Sequence, residues 1–321
     1  MNTIIRTAST DPYHNLALED CLMATTELGA VLYLWQNQHT VVVGKHQNAW
    51  KECKVDLLEQ EGGKLARRST GGGAVYHDLG NLNFTFVMPS ALYDVRRQSM
   101  VVLAALDSLG IVGELSGRND LTICGAKFSG HAFRKEKDRC VHHGTLLFCV
   151  DMQKLSRYLQ PSQAKLAAKG VCSVASRVTN LCEHHGSLSL EMLLWALERA
   201  FVEEYGPITR ITEKALDPEC IRAGQARYAS WEWRLGRTPA FDAEYEQRFD
   251  FGSLTLGFSL KEGVVEKAQI YSDVNDEAYI TRLSEALTGA RFQRQELAGR
   301  VRALGGELAS PIAAWLEELH L

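Results

Sequence analysis

Residues 81–87 read Asn-Leu-Asn-Phe-Thr-Phe-Val, with Asn81, Asn83 and Thr85 alternating against Leu82, Phe84 and Phe86. That period of two predicts a half-buried strand. Two continuous apolar runs upstream, VLYLW at 31–35 and TVVVG at 40–44, read as strands separated by the turn-like QNQH. Other segments follow the helical period. Asp11 and Pro12 supply a capping side chain and a proline suited to the first turn, which predicts a helix to about residue 25. Further helices are predicted over VDLLEQEG and over 93–109. Residues 189–205 give the clearest one, because Leu190, Leu194, Leu197 and Phe201 share one face and Gly206-Pro207 stops it. Residues 121–150 read mostly as strand, with a hairpin near KEKD.

Asp217-Pro218 opens another helix, which runs toward the tryptophan-rich stretch SWEWRLGRTP. Past that stretch the texture changes to three strands, YEQRFDF, SLTLGFSL and VVEKAQIYS, and then three helical segments from about 276, 291 and 310. The expected organisation is a large domain over 1–243 and a compact unit over 247–321, with no internal repeat.

Composition narrows the function classes. The 321 residues are 45% hydrophobic and 23% charged, an ordinary globular balance. A net charge of -4 gives no electrostatic case for nucleic acid. No apolar stretch approaches a membrane span, and the N-terminus lacks a basic head followed by an apolar run, so a cytoplasmic protein is expected. The eight cysteines form no CxxC pair, and buried free thiols are expected rather than a disulfide framework.

Three stretches carry candidate chemistry. In RRSTGGGAVYHD (67–78), Lys64, Arg67 and Arg68 precede three glycines set between two strands. Successive backbone N–H groups there can form an anion-binding nest, with arginine forks for phosphate; the alternative is a plain hairpin turn. Neither a Walker loop nor a dinucleotide fingerprint is present. In GRNDLTICGAKFSGHA (117–132), Lys127 stands on a strand among small residues, able to reach into a cleft or to sit in solvent. In RCVHHGTLLF (139–148), Cys140, His142 and His143, with His131 upstream, offer zinc or nucleophile chemistry. No second ligand pair falls at metal spacing, and no third orienting group is visible for a Cys140/His142 pair.

Read together, RRSTGGGAVYHDLGNLNFTF, GRNDL with GAKFSG, HHGTLLF, KGVCSVASRVTNL and SWEWRLGRTPAF resemble the lipoate–protein ligases, in that family's order and over nearly the whole chain. The resemblance implies an α/β (α+β) catalytic domain of the biotin/lipoate ligase type, with a larger and a smaller mixed sheet around a bifurcated pocket, and a small α/β C-terminal domain. It implies two steps: (R)-lipoate and ATP, carried with Mg²⁺, give lipoyl-AMP, and the lipoyl group passes to a lysine of an apo lipoyl domain. Acceptors of this kind are the E2 subunits of 2-oxoacid dehydrogenases and the glycine cleavage H protein, and the enzyme is expected to be a monomer. Carried over by motif, Arg68, Gly73, Ala74, Val75 and Tyr76 contact the nucleotide, with Gly71, Gly72, His77 and Asp120 beside them. Lys127 matches the lysine that meets both ATP and the lipoate carboxyl. The segment between GRNDL and Lys127 is shorter than in some relatives. The rival readings are an octanoyltransferase of the same fold using a cysteine thioester, for which Cys124 and Cys140 are the candidates, a biotin ligase, whose GRGRxGR-type loop is missing, and a silent lipoate or adenylate binder.

Overall fold

The computed structural model describes residues 1–25, 27, 29–117, 120–160, 178–235, 243–261 and 263–319. In chain order the larger part carries β1 (Asn2–Arg6), α1 (Pro12–Ala24), β2 (Val31–Trp35), β3 (Thr40–Val43), α2 (Ala49–Glu52), α3 (Val55–Gln60), β4 (Lys64–Arg67), β5 (Val75–His77) and β6 (Asn81–Pro89). Then come α4 (Val95–Asp107), β7 (Glu114–Ser116), β8 (Asp120–Ile123), β9 (Ala126–Glu136), β10 (Arg139–Leu147), α5 (Met152–Tyr158), α6 (Leu190–Tyr205), β11 (Ile208–Ile211), α7 (Pro218–Ala229) and α8 (Trp231–Arg234). The closing unit is β12 (Ala243–Phe249), β13 (Gly252–Lys261), β14 (Val264–Ser272), α9 (Glu277–Leu287), α10 (Arg294–Leu304) and α11 (Ala309–Glu318).

Two sheets frame the larger part. The large one has the order β11-β1-β2-β6-β10-β9-β8-β7, parallel at the β11-β1-β2 end and antiparallel elsewhere. The small one is β4-β3-β5. The two apolar runs either side of QNQH therefore do not form a hairpin: β2 joins the large sheet and β3 forms the centre of the small one.

Strand β6 departs from the half-buried expectation. Leu82, Phe84 and Phe86 pack into the core beneath α4 and α6, but Asn81, Asn83 and Thr85 are buried too. Helix α1 covers that second face, and the hydroxyl there is satisfied internally: Thr85 Oγ1 accepts from Trp35 Nε1 at 3.0 Å and donates to Glu19 Oε2 at 2.7 Å. Buried hydroxyls survive in a core only with such partners.

The thiol expectation also needs correction. Cys21 of α1 and Cys220 of α7 form a disulfide, their Cα atoms 6.0 Å apart. Their 199-residue separation in sequence hides the pairing, which arises because α1 and α7 pack side by side. Cys53 and Cys140 are buried free thiols, whereas Cys124 and Cys149 are exposed; Cys172 lies outside the described residues.

The closing unit has its own core, with Leu254, Leu256, Phe258 and Ile270 of its sheet against Ile280, Leu283, Leu297 and Leu316 of its helices. It docks on the larger part near the small sheet. Ser272 N donates to His46 O at 2.9 Å, and Lys45 pairs with Glu277. Among the described residues no helix is long and apolar enough to cross a membrane.

Candidate active site

The glycine loop leaves β4 at Arg67 and enters β5 at Val75, and both strands hang on β3. The two arginines before it are buried and committed to protein carbonyls. Arg67 donates to Gln47 O at 2.6 Å, Gly44 O at 3.0 Å and Arg234 O at 2.9 Å, which staples the end of β4 to its surroundings. Arg68 donates to Gly71 O at 2.6 Å and Gly73 O at 2.8 Å. Burial pushes the Arg68 guanidinium down to about 10, against the pull of Glu19, so it stays charged at neutral pH. Lys64 turns away to pair with Asp11. Gly72 sits at φ 88°, a left-handed conformation that favours glycine.

Arg68 gives the loop its polarity. The carbonyls of Gly71 and Gly73 are drawn to its guanidinium, so the N–H groups of Gly72 and Ala74, trans on the same peptide planes, point away from it. None of the N–H groups of Gly71, Gly72, Gly73 and Ala74 is taken by a carbonyl among the described residues. Outward amides over a buried cation make a concavity for an anion.

Lys127 lies near the start of β9. Its ammonium is 2.8 Å from Asp120 Oδ1 on β8, and both side chains are more than a third exposed. The β8–β9 connection is a tight turn with Cys124 and Gly125 both at positive φ. Asp120 pairs across the ladder with Gly130, and the lysine side chain lies over that glycine: a Cβ there would stand 2.7 Å from Nζ. The second glycine of GAKFSG thus clears the lysine's path. Arg118 and Asn119 of GRNDL, and most of KGVCSVASRVTNL, fall outside the described residues. Of the latter, Val178 bridges to Lys127, and Thr179 N donates to Lys127 O at 2.9 Å.

The histidines split between two faces of β9 and β10. His142 Nε2 meets His131 Nδ1 at 3.0 Å, and its Nδ1 meets Gln98 Oε1 at 3.1 Å. His143 faces the other way: Nδ1 meets Glu19 Oε2 at 2.8 Å, and Nε2 meets Thr70 Oγ1 at 2.8 Å. A hydroxyl, imidazole and carboxylate in series is the order of a nucleophile triad. Thr70 is fully buried, however, and Arg68 Nε donates to its hydroxyl at 3.1 Å, so no substrate atom reaches it. Burial pushes the Glu19 carboxyl up, but contact with His143 and Thr85 pulls it further down, and it ends below its ordinary range. His77 is pushed down to about 3 by burial. Its Nδ1 accepts from Asn37 Nδ2, so Nε2 carries the proton; buried, it meets no partner among the described residues.

These groups border one cavity with two lobes that meet at Lys127, Asp120 and the Ala74-Val75 end of the loop. The first lobe, about 250 Å³, runs past Leu16, Trp35, Val42 and His77 and is bounded by Asp273 and Asn275 of the closing unit. The second, about 390 Å³, runs past Ser116, Thr122 and Gly125 to Leu155 and Val178. Of the sequence-derived residues, Arg68, Gly72, Gly73, Ala74, Val75, His77, Asp120 and Lys127 line it. Tyr76 borders the second lobe, but its ring is buried in the core of the small sheet. Gly71 backs against Val274 instead. Neither Cys124 nor Cys140 lines either lobe. Sequence reading missed Glu19, Thr70, Asn83 and Asn275. Glu19 had one signal, a carboxylate within the apolar run Leu16-Ala17-Leu18 to Leu22 of a helix.

Comparisons with known proteins agree with this geometry. The lipoyl protein ligase A/B catalytic domain profile matches residues 11–202, and the bacterial lipoate protein ligase C-terminus profile matches residues 238–307. The structure of P. falciparum LipL1 in complex with lipoate is 28% identical, covering 99% of this chain and 100% of that one, with a TM-score of 0.86. Lipoate-protein ligase A bound with ATP is 27% identical over 73% of this chain and 98% of that one, TM-score 0.63. A bi-partite lipoate protein ligase with its E2 lipoyl domain, from Thermoplasma acidophilum, is 27% identical over 75% and 98%, TM-score 0.62. The chain belongs to the lipoyl protein ligase A/B catalytic family, a family of ligase enzymes, and carries the bacterial lipoate ligase C-terminal domain behind it.

Proposed function

We propose that the protein is an ATP-dependent lipoate–protein ligase. It joins free lipoate to AMP with release of pyrophosphate, then passes the lipoyl group to the ε-amine of a lysine on an apo lipoyl domain. The observation that carries this reading is Lys127 at the junction of the two lobes, beside the outward amides of the glycine loop. A carboxylate is a poor electrophile, and adenylation gives its carbonyl carbon a good leaving group. In the first step a lipoate oxygen attacks the α-phosphorus and the bond to pyrophosphate breaks. In the second the acceptor amine attacks the acyl carbon, AMP leaves, and the amine loses a proton. Negative charge develops first around the α-phosphate and then on the acyl oxygen, at one place. A compact ammonium and fixed N–H dipoles suit both.

The lining suggests a division of the cavity. The first lobe offers Leu16, Trp35 and Val42 to the apolar lipoyl chain, and its enclosure shields the mixed anhydride from water. The second, with Ser116 and Thr122, suits the polar nucleotide, whose phosphates would meet the glycine loop where the lobes join, at Ala74 and Val75 beside Gly73. Mg²⁺ enters with the ATP phosphates as part of that substrate, and among the described residues Asp120 is a carboxylate that lines the second lobe. Support for the substrates comes from the relatives, one solved with lipoate, one with ATP and one with an E2 lipoyl domain. We read residues 1–243 as the catalytic domain, 247–321 as an accessory domain, and the whole as a cytoplasmic monomer. The test is the ATP-dependent mass gain of an apo lipoyl domain given free lipoate, with lipoate-dependent ATP–pyrophosphate exchange for the first step. No exchange and no mass gain from a folded protein would refute the reading.

A further inference from the structure

We infer that Glu19 is a positioning residue for the nucleotide-binding glycine loop, acting through His143, Thr70 and Arg68. The inference rests on the functional reading above. Four bonds make the connection: Glu19 Oε2 to His143 Nδ1 at 2.8 Å, His143 Nε2 to Thr70 Oγ1 at 2.8 Å, Arg68 Nε to Thr70 Oγ1 at 3.1 Å, and Arg68 Nη2 to Gly71 O at 2.6 Å. Glu19 and Thr70 are fully buried, and Arg68 and His143 nearly so. Solvent does not reach the Glu19 carboxylate or the Thr70 hydroxyl, so both need protein partners.

Counting donors and acceptors fixes the direction. An ionised Glu19 only accepts, so His143 carries its proton on Nδ1 and Thr85 donates its own to the same carboxylate. Arg68 only donates, so Thr70 Oγ1 accepts from Arg68 Nε. The Thr70 hydroxyl proton then has one acceptor in reach, the bare Nε2 of His143. Every bond points one way, from the guanidinium to the carboxylate, and two neutral groups connect the buried cation to its counter-charge. Arg68 is in turn what draws the carbonyls of Gly71 and Gly73 inward. The carboxylate on α1 thus sets which edge of the loop faces the nucleotide, although Glu19 itself does not line the cavity.

Glu19→Gln removes that order. His143 Nδ1 and the Thr85 hydroxyl share Oε2, so an amide nitrogen in that place takes the acceptor from both; if it donates to His143, the imidazole proton moves to Nε2 and Thr70 loses its acceptor. With the amide nitrogen in the Oε1 place it faces the same His143 Nδ1, and the counter-charge is gone. Thr70→Val cuts the same relay one bond further along with almost no change of shape. Both variants should raise the KM for ATP on the order of tenfold or more, with a smaller effect on kcat, since a buried donor left unpaired loosens the loop without removing Lys127. The double variant should add little to either single one. The imidazole ¹⁵N shifts of His143 in the wild-type protein should report a protonated Nδ1 and a bare Nε2, and Glu19→Gln should change them. A merely structural Glu19 would lower the melting temperature and leave the ATP KM alone. The inference is overturned if wild-type His143 carries its proton on Nε2, or on both nitrogens, or if folded Thr70→Val keeps the wild-type KM for ATP. A wild-type protein without ATP–pyrophosphate exchange sinks the functional reading instead, and the ¹⁵N measurement still decides the relay.

Discussion

Lys127 and Asp120 form an ion pair at 2.8 Å across the β8–β9 ladder, at the point where the two lobes of the cavity join. Solvent reaches both groups, so the pair adds little to stability. Its effect is to hold a mobile ammonium over one spot.

Lys127→Ala should therefore abolish lipoyl-AMP formation while the melting temperature stays close to wild type. Loss of one charge-stabilising donor lowers rates by about 10²–10³, and in the proposed mechanism one donor serves both half-reactions. Lys127→Arg should fail as well, because a planar fork does not replace a compact charge between two oxygens. Adenylate formation at near wild-type rate in either variant would remove Lys127 from the chemistry.

Gly130→Ala separates packing from aim. The added Cβ would meet only the end of the lysine side chain, 2.7 Å from Nζ and 2.9 Å from Cε, and that end can swing aside. The fold should be unaffected and kcat should fall, as the ammonium leaves its position beside Asp120. A variant with normal kcat would mean that the lysine finds its target from any starting point.

The loop glycines should behave differently from one another. Gly73 has open space where a Cβ would go, so Gly73→Val should raise the KM for ATP with little change in melting temperature. At Gly72 the φ of 88° and the Arg68 Nη2 atom 2.8 Å from the Cβ position make Gly72→Ala costly to the fold itself. Equal melting temperatures for the two variants, with equal ATP KM, would show that the loop is only a turn.

Much of this arrangement is legible in the sequence, and the exceptions share a cause. The strands, most helices and the glycine loop follow from local patterns that short segments carry by themselves, whereas Lys127 stands out through the family motif GAKFSG, its spacing alone fitting a surface lysine equally well. The Glu19–His143 contact spans 124 residues and the Cys21–Cys220 disulfide 199, and no local period encodes either. The polar face of β6 reads as solvent-facing because alternation does not reveal that α1 lies over it. The sequence shows the charge of Arg68 but not the carbonyls of Gly71 and Gly73 that its guanidinium holds at the edge of the cavity.

Acid should weaken the fold through the buried histidines. Burial pushes His77 and His131 down to about 3 and His142 well below its ordinary value, so all three are neutral in the folded protein. Unfolded, each titrates near about 6.5. Between those values the unfolded chain binds more protons, so stability is full above pH 6.5 and falls as the pH drops through the interval. Glu19, held below its ordinary range, adds a loss of the same sign at lower pH. Each proton taken up contributes a slope of about 1.4 kcal/mol per pH unit. Urea midpoints should be level near pH 7.5 and decline steeply from 6.5 to 4.5; a midpoint that rose on acidification would contradict the burial of these groups.

The closing domain sits against the glycine loop itself. A Cβ on Gly71 would stand 2.7 Å from Val274 O, Asn275 reaches into the first lobe, and Lys45 pairs with Glu277. In this arrangement the domain backs the loop and narrows the cavity, which suits activation of a small acid away from water. Transfer requires a whole lipoyl domain to bring its lysine to the same point, and that needs room. One arrangement is poorly suited to both steps, so the domain should swing between them. Glu277→Lys sets two ammonium groups against each other and should lower the rate of adenylate formation. It should leave transfer from supplied lipoyl-AMP near wild type, because Lys127 and the loop stay in place. The exchanged pair Lys45→Glu with Glu277→Lys should recover much of the loss. Cutting the chain near Ala243 should act in the same direction, provided that the shortened protein stays folded. The measurement is single-turnover modification of an apo lipoyl domain, started once from ATP and lipoate and once from synthetic lipoyl-AMP. If the folded variants adenylate normally and fail only in transfer, the closing domain serves the acceptor and not the activation step.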